Sequence, residues 1–424
     1  MKYQKPRGTR DILPEEVKIK KKIEHIIEYT FSLYNFEEII TPSFESKGLF
    51  TLSVGDATDI VEKEMYTFFD KKGYEYALRP EGTAPVVRAV IENNMLSQKK
   101  ILKLFYRGSM YRYERQQRGR YREFYQMGLE LFGTGSAYAD AEILLLVSQV
   151  LDNLDIRNAK LYINSLGCPS CRENYRNVLN KYIEEKKASL CVDCQQRLQR
   201  NVLRILDCKI DKENLANVPA MMDYLCDDCS SHHRQLVSLL EELDIKCEVD
   251  TKLVRGLDYY TRTVFEVKHP EFTSGQDTIC AGGRYDYLVE KLGGERTPAI
   301  GFAWGLDRLM EVVNVEKISI PKDLLTEKKI VFFSYLGEKA RRKGLKIVTD
   351  LRKLNIKVES MLYEEGSLKA QLRYANKINA AYAIILGDNE LQKSTVVVRD
   401  MRNNTQEECK IDELYEYIRN KVEE

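Results

Sequence analysis

The sequence LFYRGSMYRYERQQRGRYREFYQMGLELFG, residues 104–133, predicts a long antiparallel β-hairpin. Two segments rich in aromatic and branched side chains, Ile101 to Glu114 and Arg122 to Gly133, are typical of β-strands. The residues between them, Arg115 to Tyr121, are mostly polar or charged, as expected of a connecting loop. This pattern predicts an antiparallel sheet in this part of the chain.

The second strand of the hairpin has one apolar and one polar face, because side chains alternate across a strand. The apolar face predicts the core and consists of Tyr125, Met127, Leu129 and Leu131. The opposite face consists of Phe124, Gln126, Gly128, Glu130 and Phe132. An amide and a carboxylate on either side of a glycine indicate the floor of a ligand pocket, since the glycine leaves room above the sheet.

Arginines recur in the polar segments of the chain. The candidates for a phosphate site are Arg112, Arg120, Arg255 and Arg308, with Glu114 on the same strand face as Arg112. A guanidinium group offers a planar fork of donors that binds phosphate in a bidentate way. Any single arginine is more often a solvated surface residue. Four of them in three separate motifs favour an anion site, and the nine basic residues between Lys99 and Arg122, opposed only by Glu114, strengthen this prediction.

The segment LVRGLDYYTRTVFEV, residues 253–267, places Arg255 beside Asp258, Tyr259 and Tyr260. A charged arginine in such a cluster is costly to bury unless a ligand or a partner satisfies it. The cluster therefore predicts the wall of a binding site. The alternative is an internal ion pair between Arg255 and Asp258.

Several functional classes are not favoured by the sequence. The four histidines lie outside these polar segments, which argues against a histidine-based catalyst. No Walker A loop, GxGxxG fingerprint or GxSxG elbow occurs, so P-loop ATPases, nicotinamide enzymes and serine hydrolases are not predicted. The first sixteen residues contain no apolar signal core and no apolar run is long enough to cross a bilayer, so we expect a cytoplasmic protein with no membrane contact and reduced thiols.

At 424 residues the chain is too long for one hydrophobic core, so two or three domains are expected. We place the first domain at residues 1–325, with a helical, cysteine-rich insertion at about residues 167–236. Residues 318–327 contain Pro321 and little apolar pattern, which predicts a linker. Residues 328–424 then alternate strand and helix patterns, which predicts a small α/β domain.

The remaining elements of the first domain follow from local patterns. Pro14 opens a helix that should end near Asn35, and a strand should follow from Phe36 to Ile40 before Pro42 bends the chain away. Further strands are expected at Tyr259 to Val267, Asp277 to Ala281 and Ala299 to Trp304, the last of which leads into a helix from Gly305.

The insertion contains three C-x-x-C pairs: Cys168/Cys171, Cys191/Cys194 and Cys226/Cys229. Nineteen residues separate the first pair from the second, which is within the spacing of four-cysteine zinc sites. We therefore predict one structural zinc ion. Six candidate thiolates leave the ligand set open, and Cys208 adds a seventh. The alternative is that these cysteines are packed as small apolar residues.

Six segments of the chain resemble the histidyl-tRNA synthetases, a family of class II aminoacyl-tRNA synthetases. The hairpin resembles motif 2 of this class, and AIGFAWGLDRL, residues 299–309, resembles motif 3. The segments that resemble the histidine-specific additions are PRGTRDILP (6–14), RPEGT (79–83), LVRGLDYYTRTVFEV (253–267) and AGGRYD (281–286). The first helix, the following strand and Pro42 resemble motif 1, which forms part of the dimer interface in this class.

The resemblance implies an α+β fold, in which a class II antiparallel sheet with flanking helices carries the insertion. A C-terminal α/β anticodon-binding domain and assembly as a homodimer are also implied. The implied activity is that of a histidine–tRNA ligase, which activates L-histidine with ATP and Mg²⁺ to histidyl-adenylate and transfers the histidine to the 3′ end of tRNA(His). Attack of a carboxylate on the α-phosphate needs positioning and charge neutralisation more than a protein nucleophile, which suits a site rich in arginine.

The resemblance also implies roles for individual residues. Those implied to bind the α-amino group of histidine are Glu81, Thr83 and Gln126, and those implied to contact its imidazole are Glu130 and Tyr260, with Tyr259 in the same site. Arg112 and Arg255 are implied to be catalytic, at the α-phosphate. Arg120 and Arg308 are implied to hold the outer phosphates of ATP, with Glu114 in the same nucleotide site.

Two other functions stay open at this point. One is a non-catalytic, synthetase-like regulatory subunit of an ATP phosphoribosyltransferase in histidine biosynthesis, which usually lacks the C-terminal domain and part of the arginine set. The other is a class II synthetase for a different amino acid, which would share the C-terminal domain but not residues 253–267. Both are less favoured, because this chain has the C-terminal domain, the arginines and that segment together.

Overall fold

The structure is a computed structural model. It describes residues 3–55, 58–97, 99–115, 119–200, 202–208, 210–272, 277–313, 317, 328–364 and 366–423. The predicted linker at residues 318–327 lies outside this part of the chain.

The described residues form sixteen strands. They are β1 (Glu37–Glu38), β2 (Phe44–Ser46), β3 (Thr67–Phe69), β4 (Glu75–Leu78), β5 (Leu102–Tyr111), β6 (Glu123–Phe132), β7 (Lys160–Ser165), β8 (Cys247–Val249), β9 (Thr261–Lys268), β10 (Thr278–Arg284), β11 (Ala299–Gly305), β12 (Val331–Tyr335), β13 (Val358–Ser360), β14 (Tyr382–Leu386), β15 (Thr395–Asp400) and β16 (Gln406–Lys410).

The same residues form thirteen α-helices. They are α1 (Pro14–Leu33), α2 (Lys47–Val54), α3 (Thr83–Glu92), α4 (Ala137–Asn153), α5 (Pro169–Glu184), α6 (Val192–Arg200), α7 (Asp227–Glu242), α8 (Leu288–Lys291), α9 (Leu306–Val312), α10 (Glu338–Lys353), α11 (Leu368–Lys377), α12 (Asp388–Lys393) and α13 (Leu414–Glu423). Short helical turns of other types include Ile60–Glu64 and Val202–Asp207.

The largest sheet has eight strands in the order β1-β5-β6-β11-β10-β9-β7-β8. Its six central strands, β5 to β7 in this order, are paired antiparallel, whereas β1 and β8 join the two edges in parallel. The predicted hairpin is confirmed as β5 and β6. A separate sheet of three short antiparallel strands, in the order β2-β4-β3, lies beside the start of α3.

The core of the first part of the chain lies between the large sheet and helices α1 and α4. The predicted apolar face of β6 is confirmed, because Met127, Leu129 and Leu131 are fully buried in this core and Tyr125 packs at its margin. Helix α1 begins at Pro14, as its sequence predicts, and the chain leaves it at Asn35 with a positive φ of 63°. Burial of these apolar faces is the main force that holds the helices on the sheet.

Helices α5 and α6, with the turns that follow them, form a smaller core of their own. This core consists of Tyr175, Leu179, Ile183, Ile205 and Leu215 together with several of the cysteines. Helix α7 then returns to the large sheet, where Leu236, Leu239 and Leu240 join the main core. The chain between β7 and β8 is therefore tied to the sheet at both ends.

The C-terminal part of the chain forms a five-stranded sheet in the order β13-β12-β14-β15-β16. The three strands β13, β12 and β14 run parallel, and β15 and β16 are antiparallel. The sequence predicts the alternation of strands and helices as far as β15. It names none of the elements α12, β16 and α13, which complete this unit. The unit packs on the first part of the chain through Tyr138, which donates a hydrogen bond of 2.5 Å to Glu338, and through a buried ionic cluster at Lys103.

No helix within the described residues combines the length and the apolar character needed to cross a lipid bilayer.

Candidate active site

A cleft of about 340 Å³ lies over the middle of the large sheet, where β6, β10 and β11 meet the start of α9. The side chains that line it include all four candidate arginines, Arg112, Arg120, Arg255 and Arg308, as well as Glu114, Gln126 and Asp207. The arginines come from three segments that are far apart in the sequence, since Arg112 and Arg120 belong to the same hairpin. Their convergence supports the predicted anion site, since it is a feature that solvated surface arginines would not have.

The arginines of this cleft are held by backbone and carboxylate groups. Arg112 donates a hydrogen bond of 2.8 Å from Nε to the carbonyl of Pro80, and its Nη1 lies 3.7 Å from Glu114 Oε1. Arg120 forms an ion pair with the same Glu114. Arg308 donates to the carbonyls of Gly119 and Thr278, which joins the end of the hairpin loop to β10.

Positive charge is concentrated where Arg308 meets the hairpin. Burial, together with the nearby charges of Arg120 and Arg112, lowers the pKa of Arg308 from its usual value of 12.5. Burial and the charge of Arg112 also lower the pKa of Arg120, against the opposing effect of Glu64. Groups of like charge in a partly desolvated site favour an anion, because an anion reduces their mutual repulsion.

Arg255 lines the cleft but does not pair with Asp258, which was the alternative interpretation of its sequence. Its guanidinium group forms an ion pair with Glu266 of β9. Burial opposes the charged form of Arg255, but Glu266 outweighs it and raises the arginine pKa above 12.5. Glu266 is a residue that sequence reasoning missed. Its signal was a lone carboxylate between Phe265 and Val267 in an otherwise apolar strand segment.

A cluster of buried polar side chains adjoins the cleft near the start of α3. Thr83 donates a hydrogen bond of 2.7 Å from Oγ1 to Glu130 Oε1. Glu81 accepts from the backbone amides of Thr83 and Ala84, at 2.7 and 2.9 Å, and so caps the helix. Burial raises the pKa of Glu81 above its usual 4.5, although these amides oppose the rise.

Tyrosine rings pack around this cluster. The rings of Tyr259 and Tyr260 lie 4.7 Å apart, and Tyr259 meets Tyr285 at 5.7 Å between ring centres. The hydroxyl of Tyr285 donates to Glu130 Oε2. Tyr285 was not among the site residues predicted from sequence, although it belongs to the segment AGGRYD that resembles a histidine-specific addition.

Glu130 is the most buried carboxylate of this cluster, with 1% of its surface exposed. Burial raises its pKa from 4.5 to about 8, although hydrogen bonds from Tyr285 and Thr83 oppose the rise. Glu130 is therefore largely protonated at neutral pH in this structure. A carboxyl group in this state can donate one hydrogen bond and accept others, which suits a neutral ligand with both kinds of polar atom.

The interpretation of Gly128 as open space above the sheet is wrong. The ring of Tyr106, which lies opposite Gly128 on β5, covers this position, and its hydroxyl would be 2.4 Å from a Cβ atom there. Gly82 accommodates the other side of the same ring. Similarly, Gly301 on β11 accommodates the carboxylate of Glu130. The glycines therefore make room for protein side chains.

The basic run from Lys99 to Arg122 does not form one patch. Lys99 pairs with Glu37 and Lys100 with Glu364. Lys103 is buried in the ionic cluster beneath the C-terminal unit, and Arg107 pairs with Glu28 and Glu38. Strand alternation and the length of β5 carry these residues away from the cleft. The prediction that the run as a whole binds phosphate is wrong for its first four members.

A second ionic contact fixes the wall of the cleft. Arg10, in the N-terminal segment PRGTRDILP, binds Asp307 in the first turn of α9 at 2.8 Å. The other oxygen of Asp307 accepts a hydrogen bond of 2.9 Å from the backbone amide of Tyr125 on β6. This contact holds the helix that carries Arg308 against the strand that carries Gln126, and sequence reasoning did not assign it.

The cysteines of the insertion are divided between two clusters of potential metal ligands. One consists of Cys168, Cys171, Cys226 and Cys229, and the other of Cys191, Cys194, Cys208 and Asp211. In each cluster the ligand atoms lie within 4.8 Å of one another. The expectation of a single site with an ambiguous set of six or seven thiols is therefore replaced by two candidate sites with distinct ligands.

Comparisons with known proteins agree with this architecture. One family model, described as histidyl-tRNA synthetase, matches residues 8–309, and another, described as anticodon binding domain, matches residues 330–421. A histidine–tRNA ligase of Thermodesulfovibrio yellowstonii is 45% identical, with 100% of both chains covered. The crystal structure of apo S. aureus histidyl-tRNA synthetase, which is 36% identical, matches with a TM-score of 0.61 over 98% of this chain and 99% of that chain.

A structure described as an ATP phosphoribosyltransferase regulatory subunit/histidyl-tRNA synthetase from Bacillus halodurans C is 23% identical. It covers 91% of this chain and 98% of its own, with a TM-score of 0.56, and shows only that the fold is shared. The antiparallel sheet, the arginine-lined cleft and the C-terminal unit define a class II aminoacyl-tRNA synthetase. Within this class, the chain belongs to the histidyl-tRNA synthetase family.

Proposed function

We propose that this chain is a histidine–tRNA ligase, which activates L-histidine with ATP and then charges tRNA(His). One observation carries the proposal. Strand β6 presents Gln126 to the arginine-lined cleft and Glu130 to the adjoining cluster of buried tyrosines. An amino acid at this cluster and a nucleotide in the cleft would therefore meet above the same strand. The carboxylate of the amino acid would then lie close to the phosphates of the nucleotide.

The cleft would hold ATP. Arg112 and Arg255 would neutralise charge at the α-phosphate, while Arg120 and Arg308 would bind the outer phosphates. Arg120 and Arg255 are paired with Glu114 and Glu266, so their release by phosphate leaves two carboxylates beside the triphosphate. Mg²⁺ bound there would supply further charge neutralisation, and hard oxygen ligands such as Glu114 suit this ion.

The cluster of buried polar side chains near the start of α3 would hold histidine. Glu81, Thr83 and Gln126 would bind the α-amino group, since a buried carboxylate, a hydroxyl and an amide oxygen all accept hydrogen bonds from an ammonium group. Glu130, Tyr259 and Tyr260 would surround the imidazole. Because Glu130 is held largely neutral, it can donate to one ring nitrogen of histidine without attracting a fixed positive charge. An apolar analogue would leave these buried groups unpaired, which gives strong discrimination without an editing step.

Transfer to tRNA would involve the rest of the chain. We place the catalytic domain at residues 1–325, with the insertion at about residues 167–236, and the anticodon-binding domain at residues 328–424. The match of an anticodon-binding family model to residues 330–421 supports this division of labour. We further propose a homodimer in the cytoplasm, by analogy with the motif 1 interface of class II synthetases.

We also propose a structural zinc ion on Cys168, Cys171, Cys226 and Cys229. The Cys168 sulfur lies 3.5 Å from that of Cys171 and 4.0 Å from that of Cys226. Both pairs begin helices, since Cys168 precedes α5 and Cys226 precedes α7. Helix N-termini favour thiolates. Burial opposes ionisation, but hydrogen bonds from Ser170, Cys171 and Cys226 lower the pKa of Cys168 to about 6.

Exchange of pyrophosphate into ATP tests the central proposal. We expect exchange that depends on histidine, no exchange with any other protein amino acid, and charging of tRNA(His) by the same preparation. The regulatory-subunit alternative predicts no exchange with any amino acid, and a synthetase for another amino acid predicts exchange with that one instead. Folded protein that gives either result would refute the assignment.

A further inference from the structure

A second group of metal-type ligands lies about the start of α6, apart from the four-cysteine cluster. It consists of Cys191, Cys194, Cys208 and Asp211, whose ligand atoms lie within 4.8 Å of one another. Asp211 and Cys194 are buried, and no disulfide joins any of these cysteines. Three thiols and a carboxylate, from two stretches of chain separated by α6, therefore converge on one point.

The spacing of these atoms fits a tetrahedral ion. Zinc–sulfur bonds of about 2.3 Å place two sulfur ligands about 3.8 Å apart. The sulfurs of Cys191 and Cys208 lie 3.8 Å apart, and Cys208 Sγ lies 3.6 Å from Asp211 Oδ2. A carboxylate ligand at about 2.0 Å from zinc would lie roughly 3.5 Å from a sulfur ligand, which agrees with the second distance.

The N-terminus of α6 lies beside two of these ligands. Cys191 immediately precedes α6 and Cys194 lies in its first turn, where the helix dipole stabilises negative charge. The protons on these thiols are the ones that a bound cation would displace.

We propose that Cys191, Cys194, Cys208 and Asp211 hold a second zinc ion, so that the insertion carries two. The metal site does not depend on the proposed function or on zinc at the first cluster, because none of the ligands is shared, whereas its link to the nucleotide site rests on the proposed function. The ion would join the start of α6 to Cys208 and Asp211, and so would close the loop that contains the helical turn Val202–Asp207.

This loop reaches the cleft, which gives the second ion a role in positioning. Asp207 directly precedes the ligand Cys208 and lines the same cleft as Arg255. Three residues before Asp207, Arg204 forms an ion pair of 3.0 Å with Asp59. The turn is thus anchored on one side by this ion pair and on the other by the proposed metal. Loss of the ion would release Asp207 from the wall of the nucleotide site.

The alternative is that Asp211 only caps the chain. Its two oxygens accept hydrogen bonds of 3.0 and 3.2 Å from the backbone amide of Cys191, and Asn214 donates to it at 3.3 Å. In that case the thiols are packed apolar groups and the four-cysteine cluster holds any zinc present. The two possibilities differ in the amount of metal and in the nature of its ligands.

The test is the zinc content of the full chain, purified without chelator and measured by elemental analysis. We expect about two zinc ions per chain in the unaltered protein and about one in each of the double variants Cys191→Ser/Cys194→Ser and Cys168→Ser/Cys171→Ser. The matched control is Cys247→Ser, a cysteine outside both clusters, which should retain two. One zinc per chain in the unaltered protein, lost only in the second double variant, would overturn the proposal.

X-ray absorption at the zinc edge keeps the test decisive even when a variant does not fold. Two sites in the unaltered protein predict a mixture of four-sulfur and three-sulfur, one-oxygen coordination, whereas purely four-sulfur coordination contradicts the second site. Asp211→Cys should retain both ions and shift the average to sulfur alone. The KM for ATP in pyrophosphate exchange should rise on the order of threefold in Cys191→Ser/Cys194→Ser. An unchanged KM in protein that has lost this zinc would contradict the link to Asp207.

Discussion

Arg352 of α10 and Glu142 of α4 form a buried ion pair, with 3.2 Å between Nη1 and Oε2. The second oxygen of Glu142 lies 2.8 Å from Lys103 Nζ, and Lys103 also binds Glu359 of β13 at 3.2 Å. Two cations and two anions from both parts of the chain therefore balance each other inside the protein. Lys103 lies near the start of β5, the strand that leads to Arg112, so the C-terminal unit is anchored directly to the hairpin of the active site.

We expect Arg352→Met to lower the free energy of unfolding by about 3–5 kcal/mol, because Glu142 would stay buried with one of its two partners removed. Chemical denaturation with urea measures this. The matched control is Lys393→Met, which removes a pair with Glu408 that is largely exposed and should cost about 0–1 kcal/mol. Equal, small losses in both variants would show that the buried cluster does not stabilise the contact between the two parts.

The raised pKa of Glu130 leads to a prediction on pH. The unfolded carboxyl releases its proton near 4.5 and the folded one near 8, so the unfolded chain binds fewer protons between these values. Stability should therefore fall as pH rises from about 4.5 to about 8 and level off above that. Glu130→Gln lacks this titration. The free energy of unfolding of Glu130→Gln, relative to that of the unaltered protein, should therefore rise by on the order of 3 kcal/mol from pH 5 to pH 8.

Urea denaturation at several pH values, carried out on both proteins, measures this difference and cancels the other titrating groups. Glu15→Gln is the control, because the Glu15 side chain is 83% exposed and its replacement should leave the pH dependence unchanged. A difference between Glu130→Gln and the unaltered protein that stays constant from pH 5 to 8 would mean that Glu130 ionises normally in the fold.

Arg255→Ala should raise the activation free energy of adenylate formation by on the order of 3 kcal/mol or more. This is the loss expected when a preorganised donor to the developing charge is removed. Pyrophosphate exchange measures it. The structure adds a complication, because Glu266 would be left without Arg255. The double variant Arg255→Ala/Glu266→Gln removes the charge of this carboxylate and should show the same loss of exchange with a smaller loss of stability. Near-normal exchange in a folded Arg255→Ala protein would remove the assigned role.

Local patterns were sufficient to predict the hairpin, helix α1, the apolar face of β6 and the division of the chain into two kinds of sheet. They depend on alternation, capping and proline, which act between neighbours in sequence. The convergence of Arg112, Arg120, Arg255 and Arg308 could be expected because phosphate chemistry requires several such groups. These features follow from residue type and spacing alone.

Contacts between distant segments could not be predicted in this way. The sequence predicts that Arg255 meets Asp258 or a ligand, yet the fold brings the segment before β9 back to Glu266 of that strand. The basic run predicts a phosphate-binding patch that includes Lys103, whereas the C-terminal unit buries this residue. The grouping of the cysteines depends on where α5, α6 and α7 begin in space, and spacing allowed several sets. In each case the partner is chosen by tertiary packing, which the local sequence does not contain.

A variant at Tyr285, which the sequence did not single out, tests the proposed position of histidine at Glu130. Tyr285→Phe removes the hydroxyl that donates to Glu130 Oε2 and leaves that buried oxygen unpaired, at a cost of about 1–3 kcal/mol. Because the contact is remote from the reacting phosphate, the KM for histidine in pyrophosphate exchange should rise roughly tenfold with little change in kcat. The matched control is Tyr287→Phe. The Tyr287 hydroxyl accepts a hydrogen bond of 2.9 Å from Arg296, and its removal should leave the KM for histidine unchanged. An unaltered KM in folded Tyr285→Phe would place the imidazole elsewhere.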